Sequence, residues 1–212
     1  LAFVDGLKKG EEDLANDEDF NALMDLIDVY MEYNINKDDP LSATYDMNDE
    51  YLKEGTVAFW PNGSWATDVS ELTDNVGIMP YPMDTKDEVN AHNLVSGATK
   101  MLAVDAAYSS EDEQKAALEF LNWLVYSDYG QKFMVNTCSL ITAFSNNTQE
   151  PEAALSASVA SFVKNGSSVY WYQAMPSDHN TVVGAILQKY ISGEMDRDEL
   201  ISEVSDYWKN HE

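Results

Sequence analysis

The segment at residues 51–82 constrains the fold most, because its pattern changes between helical and extended within a few residues. Gly55 can adopt the positive φ that ends a helix, and the β-branched, small and aromatic residues at 56–60 favour a strand. Residues 69–74 predict a short helix, and the apolar run at 75–79 predicts a second strand. This alternation of strand, helix and strand is typical of an α/β fold.

Trp65 lies just past the turn Asn62-Gly63-Ser64 in this segment. Open α/β sheets place ligand contacts on turns at the carboxyl ends of strands, so Trp65 is a candidate ligand contact. A tryptophan at this position could equally serve to close the hydrophobic core. The residue pattern by itself leaves both interpretations open.

Helix signals are strongest in the second half of the chain. Ser110 with Glu113 and Asp196 with Glu199 both match the capping box that begins a helix. Apolar residues at helical spacing predict helices from 17, from 110, from 128, from 151 to 164, from 183 to 191 and from 196. A third apolar run at 100–104 predicts a strand that follows the small residues at 95–98.

Charge and residue counts exclude several classes of function. Lys and Arg total 12 against 38 Asp and Glu, and the net charge of -26 argues against nucleic acid or an anionic membrane as partner. Cys138 is the single cysteine, so it can form no internal disulfide and no cysteine-based zinc site. The histidines His92, His179 and His211 lie far apart in sequence, so we expect no metal and no cofactor.

Three consecutive aromatic residues, Tyr170, Trp171 and Tyr172, follow Gly166. No helical or strand period places all three in a core, so at least one faces solvent, a partner or a ligand. Nearby polar residues that could bind a ligand, or serve only to solvate the loop, are Gln173, Asp178 and Asn180.

Five segments resemble, in the same order, the carbohydrate-binding members of extracellular solute-binding protein family 1, the family of maltose-binding protein. These segments are NKDDPLSATYDMNDEYLKEGTVAFWPNGSWA, VGIMPYP, EDEQKAALEFLNWLVYSDYGQKFMV, ITAF and LQKYISGEMDRDEL. The resemblance extends over nearly the whole chain but matches only the later portion of the family. It implies a fragment that lacks most of the N-terminal lobe.

The resemblance implies an α/β fold of the periplasmic-binding-protein type II class. Residues 1–94 would form the first part of the C-terminal lobe, 95–145 the hinge strand and helices of the N-terminal lobe, and 146–212 the second part of the C-terminal lobe. It also implies a bacterial lipoprotein, extracellular or periplasmic, anchored to the membrane through an N-terminal segment that this sequence does not contain.

The function implied by the resemblance is that of a monomeric, non-enzymatic sugar-binding or oligosaccharide-binding subunit that delivers its solute to the permease of an ABC importer. The implied ligand contacts are Trp65 with Asn62 and Gly63, Trp171 with Tyr170 and Tyr172, and Ser96 with Gly97 in the hinge strand. Because one lobe offers only one wall of the cleft, we expect this chain to bind sugar weakly or not at all.

Two other classes of function remain open. A carbohydrate-active enzyme of the glycoside hydrolase type would also need aromatic plates, together with paired carboxylates. No such pair can be identified among so many acidic residues, and the sequence contains no serine nucleophile elbow or phosphate-binding loop. The third possibility is an inert interaction domain.

Overall fold

The computed structural model describes residues 2–66, 75–86, 88–97, 100–170 and 175–211. The elements in these ranges are helices α1 (Ala2–Lys9), α2 (Glu18–Tyr33), α3 (Tyr45–Lys53), α4 (Glu88–His92), α5 (Glu111–Tyr126), α6 (Asp128–Lys132), α7 (Ala154–Lys164), α8 (His179–Ile191) and α9 (Arg197–Lys209), a π-helical turn (Phe133–Thr137), and strands β1 (Leu94–Ser96) and β2 (Ser168–Tyr170). The described residues are therefore mainly helical, and none of their helices has the length and apolar character needed to cross a membrane.

The predicted α/β lobe of the periplasmic-binding-protein type II class is wrong. Within the described ranges, the sheet consists of β1 and β2 alone, which run parallel over three residues each. The apolar runs predicted as strands at 56–60, 75–79 and 100–104 are irregular, and the helix predicted at 69–74 lies outside the described residues. A strand needs a neighbour to pair its backbone and a layer to cover its side chains. Phe59 and Met101 have no such cover, since they are 72% and 80% exposed.

The predicted helix starts agree with the structure, because the residues that begin a helix act locally. Asp17 caps α2 by accepting a hydrogen bond of 2.7 Å from the backbone N–H of Phe20. The predicted capping boxes begin α5, at Ser110, and α9, at Asp196, and in each the glutamate three residues on bonds back to the cap. The helix predicted from 128 is confirmed as α6, which the π-helical turn extends, and α7 begins after Pro151 at Ala154.

The chain divides into two compact units, and each is described by itself. The first unit comprises Leu1–Tyr51, Tyr81–His92 and Tyr172–Glu212, and the second comprises Leu52–Pro80 and Asn93–Trp171. The predicted assignment of 1–94, 95–145 and 146–212 to parts of two lobes stays a prediction.

The first unit is built around α8 and α9, which pack against each other and against α1 and α2. Met195 lies in the loop between α8 and α9, and Leu200 lies in the first turn of α9. The two residues occupy the positions of a hydrophobic staple. The buried residues of this core are Leu7, Leu14, Met24, Ile186, Met195, Leu200, Val204, Tyr207 and Trp208.

The second unit combines α5, α6 and α7 with the two short strands. Ser158 on α7 bonds through its hydroxyl to both the backbone N–H and the carbonyl of Ile78, at 3.1 and 3.3 Å. Ser156, which is fully buried, donates a hydrogen bond of 3.0 Å to the carbonyl of Ser139. These bonds fix irregular segments onto α7 where strand pairing does not do so.

Candidate functional site

The predicted ligand contact Trp65 lies on a tight turn of the second unit. The backbone N–H of Ala66 donates to the carbonyl of Gly63 at 3.1 Å, which places Trp65 in the third position of a β-turn. The Asn62 side-chain oxygen accepts a hydrogen bond of 2.9 Å from the N–H of Gly63. Trp65 is therefore part of the turn, whereas the sequence placed it just beyond the turn.

The indole of Trp65 folds back over Gly63. A Cβ atom added at Gly63 would lie within 2.7 Å of the indole carbons Cε3, Cζ3 and Cη2, so the ring approaches this backbone as closely as a glycine allows. Trp65 nevertheless remains 70% exposed. Since it is not buried in the described structure, the alternative that it closes a hydrophobic core loses support.

A second group of predicted contacts meets at the carboxyl ends of β1 and β2. Ser96 is paired with Tyr170 in the parallel register, so two residues that are distant in sequence become neighbours. Tyr170 is 69% exposed, Ser96 is half-buried, and Gly97 follows as an exposed residue.

The remaining candidates are only partly described. Trp171, Tyr172 and Gln173 lie outside the described residues, and Asn180 is exposed on α8. Asp178 is engaged within the first unit, because the Tyr207 hydroxyl donates to its carboxylate at 2.9 Å. This hydrogen bond, ahead of the nearby His211, lowers the pKa of Asp178. Asp178 therefore has a structural partner, whereas the sequence left open a ligand contact or a solvated loop residue.

A row of exposed aromatic rings lies on α5 and α6, where the sequence predicted no ligand contact. The rings of Phe120 and Trp123 stack with their centroids 5.8 Å apart, and the ring of Tyr129 follows Trp123 at the same distance. The spacing of three residues between Phe120 and Trp123 is the signal that could have identified them as neighbours. The predicted apolar stripe of this helix is only partly buried, since Leu124 is buried and Leu118 is exposed.

Two histidines that are far apart in sequence, His179 and His211, meet in the structure around Asp178 and Tyr207. No cluster of three or more histidine, cysteine or acidic residues suited to a metal ion occurs in the described part of the chain.

Comparison with known proteins adds no assignment. No protein-family model, curated protein or solved structure matches the chain. The predicted contacts that the structure describes form two groups, an indole held over the turn at Gly63 and a serine–tyrosine pair at the ends of β1 and β2.

Proposed function

We propose that the chain binds a sugar or oligosaccharide and acts as the carbohydrate-binding subunit of an ABC importer. The observation that carries the proposal is the indole of Trp65, which rests on the Gly63 backbone while most of its surface stays exposed. A ring that is already fixed by its turn loses little conformational entropy when a ligand stacks on it. A ring held in this way is therefore better suited to bind a ligand than an exposed ring that rotates freely.

The chemistry of the site suits a sugar ring. A pyranose presents an apolar face of C–H bonds, which stacks on an aromatic plate, and a girdle of hydroxyl groups, which needs hydrogen-bonding partners. Trp65 supplies the plate, and the hydroxyls of Tyr170 and Ser96 are polar groups of the same unit. Asn62 stabilises the turn under the plate, because its side-chain oxygen accepts the hydrogen bond from the N–H of Gly63.

The importer role depends on the sequence resemblance. It includes delivery of the sugar to a membrane permease, an extracellular or periplasmic location with a membrane anchor, and action as a monomer. The proposed sugar binding does not require the α/β fold of the periplasmic-binding-protein type II class, which the described structure contradicts.

The expected affinity is low, because a plate that is open to solvent covers one face of a sugar. We expect a dissociation constant of about 1 mM or weaker, which corresponds to a binding free energy near -4 kcal/mol. Intrinsic tryptophan fluorescence titrated with a panel of oligosaccharides up to tens of millimolar concentration would detect such binding. A saturable change with at least one sugar is the expected result.

Three variants separate the Trp65 plate from the other tryptophans. Trp65→Ala removes the ring, and Gly63→Ala keeps the ring but forces it away from the turn, so both should weaken binding at least about tenfold. Trp123→Phe is the matched control, because this residue also lies exposed in the second unit but stacks on its own neighbours. Binding that survives both Trp65→Ala and Gly63→Ala would contradict the proposed site.

The rival function, a carbohydrate-active enzyme, is tested in the same samples. Chromatography of the oligosaccharides after prolonged incubation would reveal shorter products if the chain hydrolysed them. Saturable binding without products supports the importer subunit, whereas product formation would replace it with the glycoside hydrolase alternative.

A further inference from the structure

Four titratable side chains of the first unit meet where α8 begins and α9 ends. Asp178 immediately precedes α8, and its carboxylate accepts a hydrogen bond of 2.9 Å from the hydroxyl of Tyr207 on α9. The Nε2 atom of His211, just after α9, lies 3.1 Å from the same carboxylate. Asp178 therefore ties the start of one helix to the end of the other, and His179 follows it as the first residue of α8.

The imidazole of His179 lies against aromatic rings of α9. Its centroid is 5.6 Å from that of Tyr207 and 5.2 Å from that of Trp208, which is only 4% exposed. The Nδ1 atom of His179 is buried and has no hydrogen-bond partner in the described structure. A neutral ring can leave a lone pair at this atom, whereas a protonated ring would place an N–H group there without an acceptor.

The charges that face His179 from both helices act in opposite directions. From its own side, the carboxylate of Asp178 favours the protonated ring, while the position at the positive end of α8 disfavours it. From the α9 side, His211 disfavours a second positive charge, and Tyr207 and Trp208 contribute rings without formal charge. Burial outweighs the attraction of Asp178, and the pKa of His179 is lowered below its ordinary value of 6.5.

We propose that His179 makes this cluster an acid-sensitive fastener, which holds the start of α8 to the end of α9 at neutral pH and loosens when the ring is protonated. In the closed state the start of α8 is packed against the end of α9, and in the open state this contact is broken. His179 binds a proton near its ordinary pKa of 6.5 in the open state, but only at lower pH in the closed state. Stability is therefore complete above pH 6.5, falls as the pH drops below that value, and levels off beneath the closed-state pKa.

Asp178 keeps the same charge over the pH range in which His179 is tested. Its pKa is lowered from 3.8, with the hydrogen bond from Tyr207 as the main cause, so its contribution to stability is present above pH 3.8 and is lost only below it. The pKa of Tyr207 is raised to about 12, by burial first and then by Asp178, so Tyr207 keeps its proton throughout. Acidification from pH 8 to pH 5 therefore tests His179 apart from these two groups.

Amide hydrogen exchange at residue resolution measures how well the start of α8 and the end of α9 are protected from opening. The N–H of Val182 donates to the Asp178 carbonyl in the first turn of α8, and the N–H of Asn210 donates to the Asp206 carbonyl at the end of α9. After correction for the intrinsic pH dependence of exchange, we expect protection at both sites to fall between pH 6.5 and pH 5. One coupled proton allows a fall of at most about tenfold per pH unit.

His179→Gln is the test variant, because glutamine cannot be protonated. Since His211 stays beside Asp178 in this variant, protection should fall over this range by clearly less than in the unmodified chain. His92→Gln is the matched control, since His92 is exposed on α4 and pairs there with Glu88, and it should keep the loss of protection seen in the unmodified chain. An equal loss of protection in His179→Gln and in the unmodified chain would overturn the proposal.

A second measurement on the unmodified chain decides the matter if His179→Gln does not fold. The Cε1–H resonance of His179 is followed by NMR as the pH is lowered. A midpoint below 6.5, accompanied by shifts of the Trp208 indole resonance, is the expected result. A midpoint at or above 6.5 would overturn the proposal.

Discussion

Arg197 should contribute more to the stability of the first unit than the exposed ion pair of Lys189 does. It begins α9 and reaches α2, where Nη1 lies 2.6 Å from the Asp25 carboxylate. Its Nη2 donates to the backbone carbonyl of Asn21 at 2.8 Å and to the side-chain oxygen of Asn21 at 2.9 Å. The side chain is 27% exposed, so water reaches the guanidinium only in part.

The magnitude follows from these contacts. The pair with Asp25 contributes about 0–1 kcal/mol, because that carboxylate is 71% exposed. The two bonds to Asn21 are charge-assisted, and such bonds contribute about 1.5–3 kcal/mol each when shielded, which partial exposure reduces. We therefore expect Arg197→Gln to lower the free energy of unfolding of this unit by about 2–3 kcal/mol.

Urea unfolding followed at the indole resonance of Trp208 isolates this effect, because Trp208 lies in the core of the same unit. With a denaturant slope of about 2 kcal/mol per molar, the midpoint should fall by roughly 1 M. Lys189→Gln is the matched control, since it breaks an exposed ion pair with Glu203 and should cost less than about 1 kcal/mol. Equal midpoints for Arg197→Gln and Lys189→Gln would refute this reasoning.

Two further substitutions test the packing. At Gly130, a Cβ would lie 2.5–2.7 Å from backbone atoms of Trp123 and Leu124, so Gly130→Ala should lower stability by about 1–3 kcal/mol in thermal unfolding. The control Gly184→Ala, whose Cβ meets nothing within 4 Å, should instead gain up to about 1 kcal/mol. Leu200→Ala should cost about 2–5 kcal/mol in urea unfolding, since Leu200 is 2% exposed, and a loss below 1 kcal/mol would contradict its place in the core.

The helices could be predicted because their signals are short-range. A cap such as Asp17 or Ser110 satisfies backbone N–H groups within three residues of itself, whatever the rest of the chain does. The same locality applies to Gly193, which follows the end of α8 at Ile191 and has a positive φ of 77°.

The strands could not be predicted in the same way. The runs at 56–60 and 100–104 have strand-like composition, but a strand is stabilised by a partner that may be far away in sequence. The pairing of Leu94 with Ser168, which does form, joins two segments that no local pattern connects. The predicted fold class failed because it depended on such pairings.

In the candidate site, some features could be predicted from local sequence and others could not. The turn at Gly63 and the position of Trp65 near it follow from local sequence, whereas the close approach of the indole to Gly63 depends on a side-chain orientation. Similarly, the exposure of Tyr170 was expected of at least one aromatic residue there, but its pairing with Ser96 was not. Long-range contacts therefore limit what the sequence predicts, both in the fold and in the site.

The most direct test of the proposed function follows the indole N–H resonance of Trp65 while oligosaccharide is added. Trp65 is assigned by comparison with the Trp65→Ala variant, and the chain contains five tryptophans in all. The proposal predicts a saturable shift of the Trp65 resonance with at least one sugar, with the Trp208 resonance of the other unit unchanged. Saturable binding that leaves the Trp65 resonance unshifted would contradict it.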